Sequence, residues 1–82
     1  MSEESFSDSI GQTYYRQGEA ELETAQSADS VLRKAEACGQ RDSRADIMQS
    51  AFYYLAAAHF LESRDPTKSA QAYHQAGYQL QR

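Results

Sequence analysis

The sequence predicts an all-α protein, a three-helix antiparallel bundle whose first helix is longer than the other two. Three observations carry this. Apolar residues recur at three- and four-residue intervals along most of the chain, the period of a helix. No segment alternates as a strand does, and no Asn-Gly or Asp-Gly pair marks a hairpin turn. The breaks between periodic segments are short, which favours antiparallel neighbours. A length of 82 residues fits one domain.

The core is expected to be thin. Leu, Ile, Val and Phe make up only 11 of the 82 residues, a share at which many chains stay unfolded. A net charge of −4 is too small to hold the chain open, and six Tyr with thirteen Ala supply apolar surface instead. Domains of this size bury roughly 60% of their unfolded surface and often lean on a partner or on a second copy.

Residues 1–8 read as a flexible polar tail, and residues 9–82 as the domain. Ser9 opens the first helix in a capping box with Gln12. Ile10, Tyr14, Gly18, Leu22, Ala25, Ala28, Leu32 and Ala35 then form its apolar stripe, and Cys38-Gly39 ends it, since glycine tolerates the left-handed conformation. A helix over residues 9–38 is on the order of 44 Å long. Gly11 and Gly18 each cost up to about 1 kcal/mol relative to Ala, so the helix is expected to start late or to bend near Gly18.

Ser43 or Asp42 caps the second helix. Ile47, Ala51, Tyr54 or Leu55, Ala58 and Leu61 form one stripe on it, and Met48, Phe52, Leu55 and His59 a second. So wide an arc marks the central helix, touching two neighbours. It ends near Ser63. Asp65 caps the third helix and Pro66 takes its first position, where a missing N–H costs nothing. That helix runs over about 66–81 and buries Ala70, Tyr73, Ala76, Gly77 and Leu80. The first helix overhangs the others by roughly 14 Å at its N-terminal end, carrying Ile10, Tyr14 and Tyr15.

Across the Asp65-Pro66 turn, large residues face small ones: Ala57 opposite Tyr73, and Tyr53 near Ala76 or Gly77. Residues 51–80 resemble one tetratricopeptide-repeat hairpin. Tyr53 stands where the repeat prefers Trp, and Ala56-Ala57 where it has Leu-Gly. Phe60 stands at the Tyr position, Ser69 at the first Ala of the second helix, Tyr73 at the Phe and Ala76 at the following Ala. The closing Pro is missing, and one repeat alone does not make a solenoid. A three-helix domain built on such a hairpin is also similar to the microtubule-interacting and trafficking domain, whose groove accepts a partner helix. The long helix comes first here, so no binding residue of that family carries over. Some small secretion chaperones are likewise tetratricopeptide-like.

Composition narrows the function classes. A mildly acidic chain is not expected to bind nucleic acid, and no run of apolar residues approaches a membrane span. The first residues lack the basic and apolar regions of a signal peptide, so a cytosolic protein is expected. The single cysteine, Cys38, reads as a small apolar side chain near a helix end rather than a reactive thiol. His59, Glu62 and His74 are ligand types for zinc, but a third strong ligand converging with them is missing. No phosphate-binding glycine loop or nucleophile elbow is present, and no cofactor is expected.

The tyrosines carry more. In Tyr14-Tyr15 and Tyr53-Tyr54, neighbours point about 100° apart, so one of each pair is expected at the core edge and the other in water. Exposed tyrosine suits protein interfaces. The sequence therefore points to a small non-catalytic interaction module: an adaptor, chaperone or inhibitor that offers a helical face to another protein. Its expected anchors are Ile10, Tyr14, Tyr15, Leu22, Tyr53 and Tyr78. A self-assembling subunit, dimeric through the first helix, is the alternative of a different class, and a metal-dependent enzyme the remote one.

Overall fold

The computed structural model describes residues 3–82, with side chains from Ile10 onward. It is all-helical, with no strand among the described residues, and has four helices: α1 (Glu3–Ala25), α2 (Asp29–Gly39), α3 (Arg44–Leu61) and α4 (Pro66–Leu80). The expected count of three is corrected because the long first helix is two. The helix also begins at Glu3, ahead of the expected Ser9 cap. Met1 and Ser2, the start of the expected tail, lie outside the described residues.

The break falls at Gln26, not at Gly18. Gln26 adopts φ 53°, the left-handed region, at a cost of about 1–2 kcal/mol for a residue with a Cβ. Its backbone N–H still donates to Leu22 O at 2.8 Å, and its Nε2 donates to Glu23 O at 2.6 Å, which closes the end of α1. Ser27 Oγ then accepts from Asp29 N at 3.2 Å. The gain is in burial. On one straight helix Leu22 and Val31 would point to opposite sides, being nine residues apart at about 100° each. The break turns both onto α3, where they are 2% and 0% exposed. Gly18 is needed elsewhere. A Cβ there would lie 3.1 Å from Ala56 Cβ, so glycine lets α1 settle onto α3.

Helix α3 is central, as expected, but has three neighbours rather than two: α1, α2 and α4 all pack on it. Along α2 the facing positions run backwards on α3, with Ala35 at Ser50 and Cys38 near Asp46. Along α4 they also run backwards, from Ser69 at Ala58 to Gln79 beside Ser50 and Gly39. Helix α1 runs the other way, with Gly11 against Phe52 and Gly18 against Ala56. It is therefore not an antiparallel neighbour of α3.

Caps follow the sequence. Ser43 Oγ accepts from Asp46 N at 3.1 Å, and Asp65 Oδ1 accepts from Lys68 N at 3.2 Å with Pro66 opening α4. Gly39 departs from expectation, because no glycine has a positive φ. It is small for another reason: a Cβ there would lie 2.7 Å from Gln79 Nε2 and 2.9 Å from Ser50 Oγ. Arg82 Nη2 donates to Asp42 Oδ1 at 3.2 Å and Nη1 to Gly39 O, tying the end of α4 to the α2–α3 link.

Two expected faces are corrected. Helix α4 buries Ser69, Ala72, Ala76 and Gln79, whereas Ala70 and Leu80 are exposed and Tyr73 and Gly77 half-buried. The close approach at Ser69, whose Oγ donates to Ala58 O at 2.8 Å, sets this rotation. Tyr53 accordingly faces α1 rather than Ala76 or Gly77. Tyr53 and Tyr54 are also both buried, because neighbours stand on both sides of α3.

Replacement of Gly39 by Ala is expected to lower stability by about 1–3 kcal/mol, since Gln79 and Ser50 must give way. Gln26→Gly is expected to raise it by about 0.5–1 kcal/mol by relieving the left-handed residue. Thermal melts read both, at about 4–8 °C per kcal/mol for a domain of this size.

Candidate functional site

Three helices around a fourth leave one side of it open. On α3 that side carries Met48, Phe52, Leu55 and His59, the second stripe of the sequence, at three- and four-residue spacing. The three apolar members are half-buried and His59 is exposed. Helices α1 and α4 form the walls. Leu80, 57% exposed, lines a depression of about 150 Å³ with Ile47, Met48, Arg44 and Arg82 at the N-terminal end of α3. At the other end a depression of about 200 Å³ is lined by Tyr15, Glu19, Glu23, His59 and Phe60. Between the two depressions this open side of α3, called the trough below, carries Phe52, whose ring lies against Gly11, and Leu55, packed against the core.

An aromatic bridge spans the three helices near the C-terminal end of α3. The His59 ring stands edge-on to Tyr15 at 6.0 Å and to Tyr73 at 5.5 Å, separations at which such pairs attract. The Tyr73 hydroxyl donates to Glu62 Oε1. With its one proton committed there, it accepts from His59 Nδ1 at 3.1 Å, which places the imidazole proton on Nδ1. The hydrogen bond to Glu62 is the main cause that pushes the Tyr73 hydroxyl up to about 12; desolvation and the charges of Glu62 and Tyr15 add to it. Burial, then the charges of Glu19 and Glu62, raise the Tyr15 hydroxyl as well. Arg64 stacks 3.9 Å above the Phe60 ring, close enough for a cation–π contact.

The structure divides the sequence-expected anchors. Tyr15 lines the trough. Tyr14 is half-buried and stands edge-on to Tyr53 at 6.4 Å, and Ile10 is half-buried, so neither rides on an overhang. Leu22 and Tyr53, 2% and 6% exposed, are buried in the core, and Leu22 also forms part of the lining of the depression beside Tyr15 and His59. Tyr53 is held further by its hydroxyl, which donates to Gln17 Oε1 at 3.3 Å and accepts from Gln49 Nε2 at 3.1 Å. Tyr78 is 58% exposed and shares a depression on α4 with Tyr73, His74 and Gly77. His74 does not join His59 and Glu62, and no three metal-ligating side chains gather among the described residues. Cys38 is buried, and burial is the first cause raising its thiol pKa.

Met48, Leu55 and Leu80, with Glu19 and Glu23, were not singled out as functional by the sequence. The signal was present as apolar periodicity, but periodicity does not say which of two apolar stripes a neighbour covers. No helix among the described residues is long and apolar enough to cross a membrane. No family model, curated protein or solved structure matches this chain.

An alkaline titration followed by tyrosinate absorbance should show one group ionising near 12, absent in Tyr73→Phe. The sign for stability follows. The folded pKa is raised above the ordinary value near 10, so this contribution is complete below about pH 10 and fades by about pH 12. Tyr73→Phe should flatten alkaline unfolding in that window.

Proposed function

We propose that this chain is a small, cytosolic, non-catalytic interaction module, an adaptor, chaperone or inhibitor, that docks an apolar helix of another protein chain in the trough along α3. One observation carries the reading. Two apolar stripes at helical spacing, Met48-Phe52-Leu55 and Tyr73-Gly77-Leu80, adjoin at the surface of a protein with few large core residues. Helix-in-groove recognition uses anchors one or two turns apart, the spacing of both stripes. Contiguous apolar surface on a small domain marks interaction sites.

Further support comes from the titratable groups. Cys38 is shifted away from the thiolate by burial, and Tyr73 away from the phenolate, both opposite to what a nucleophile or base requires. The α3–α4 hairpin keeps small buried residues, Ser69 and Ala76, at the tetratricopeptide-like positions. Tyr53, at the Trp position, turns to Tyr14 and Gln17 of α1. Dimerisation through the first helix is less favoured, because Gly11, Gly18 and Leu22 of α1 are already spent on α3.

Affinity capture with Met48→Glu/Leu80→Glu as bait is expected to lose the captured partner, with Kd rising at least about tenfold, or ~1.4 kcal/mol. Ala37→Glu, on the exposed side of α2, should retain it. Helical circular dichroism should be unchanged in both. Equal capture by all three proteins would remove the trough as the docking face.

A further inference from the structure

Resting on the trough as the docking face, we infer that the depression at the C-terminal end of α3 takes a basic side chain of the partner helix, an arginine, whose guanidinium sits among Tyr15, His59 and Phe60 with Glu19 and Glu23 as counter-charges. The depression holds about 200 Å³. Small-molecule sites run to roughly 300–1,000 Å³, so this one has the size for a single side chain. Leu22 and Ala56 line it together with those three rings and two carboxylates. Rings beside carboxylates form a setting for an organic cation, because ring faces attract it and carboxylates neutralise it. The Phe60 ring already takes one guanidinium, that of Arg64, at 3.9 Å. Arg64 does not line the depression, and its Nη1 donates to Phe60 O at 2.9 Å.

The acids here stand against local preference. The carbonyl end of a helix favours cations, yet α1 ends at Ala25 with no basic residue in its last turn and with Glu19, Glu21 and Glu23 in its last two. Glu21 is neutralised by Lys34 Nζ at 2.9 Å and by Ser30 Oγ at 2.6 Å. Among the described residues, Glu19 and Glu23 form no ion pair and no side-chain hydrogen bond, and at one-turn spacing they repel each other. Their field reaches the depression: after burial, the charges of Glu19 and Glu62 raise the Tyr15 hydroxyl. Hydrogen bonding agrees. With the imidazole proton on Nδ1 and donated to Tyr73, His59 keeps Nε2 as an acceptor. A lining of carboxylates and this nitrogen offers acceptors, and a guanidinium brings five donors and no acceptor. Its flat fork serves more than one acceptor while lying against a ring, which a lysine ammonium does not do. Met48 and His59 are eleven residues apart, about 16 Å along α3. The partner helix therefore carries its arginine about three turns from the apolar anchor that meets Met48 and Leu80.

N-acetyl-arginine methylamide, titrated into the full chain and followed by amide chemical shifts, tests this. Saturable shifts confined to residues 15–23 and 56–62 are expected, with a Kd in the millimolar range. The citrulline analogue, alike in shape but uncharged, should bind at least about fivefold more weakly, and the lysine analogue more weakly than arginine. Glu19→Gln/Glu23→Gln should lose the arginine analogue by the same factor while melting higher than the wild type, because two acids leave the wrong end of a helix. No saturable shift, equal binding of the citrulline analogue, undiminished binding to the double variant, or a lower melting temperature in it overturns the inference. Lysine bound as tightly as arginine overturns the choice of arginine. The docking reading fails separately. Capture that ignores Met48 and Leu80 removes the trough, whereas full capture by Glu19→Gln/Glu23→Gln, with loss in Met48→Glu/Leu80→Glu, keeps the trough and removes the arginine.

Discussion

Close approach to α3 is the constraint on which the other features depend. Ser50, Ala51, Ala57 and Ala58 are fully buried and Ala56 is 1% exposed, so the central helix presents small residues to its neighbours. Their size lets backbones come near enough for one helix's hydroxyl to reach the next helix's carbonyl. Ser50 Oγ donates to Ala35 O at 2.6 Å, and Ser69 Oγ to Ala58 O at 2.8 Å. Each such bond is worth only about 1 kcal/mol net, but in a dry seam it also fixes the rotation of one rod against the other. The glycines at 18 and 39 extend the same logic to α1 and α2. A chain with few large aliphatic residues thereby gains cohesion from contact density rather than from bulk.

The open trough follows from this packing. Rotating α4 until Ser69 meets Ala58 turns Tyr73, Gly77 and Leu80 off the seam. Placing α2 on the side of α3 that holds Ser50 and Tyr54 leaves the Met48 stripe uncovered. The break at Gln26 contributes, because an unbroken first helix would lay one long rod on α3 where two short ones now sit at different angles. The aromatic bridge Tyr15-His59-Tyr73 then fixes the separation of the two walls at one end.

Helix class, the caps at Ser43 and Asp65, the central place of α3 and the burial of Cys38 were legible in the sequence, because each depends on local chemistry or on a single apolar period. The break at Gln26 was not. No proline or glycine stands there, and its cause is a nonlocal gain, the simultaneous burial of Leu22 and Val31. Reading Gly39 as a left-handed stop failed for a related reason: glycine serves close approach as well as positive φ, and only the neighbours Gln79 and Ser50 tell the two apart. The burial of Leu22 and Tyr53 was not legible, because an apolar residue on a helix face looks the same whether the face meets its own chain or another.

Cys38 has a use that its packing creates. Its thiol is enclosed at the seam between α2 and α3, close to Asp46, in surroundings that disfavour the thiolate. Alkylating reagents reach it only when α2 lifts away. As the sole sulfhydryl in the chain, it makes the rate of covalent labelling a clock for that separation, with no probe to be introduced and no side chain to be changed.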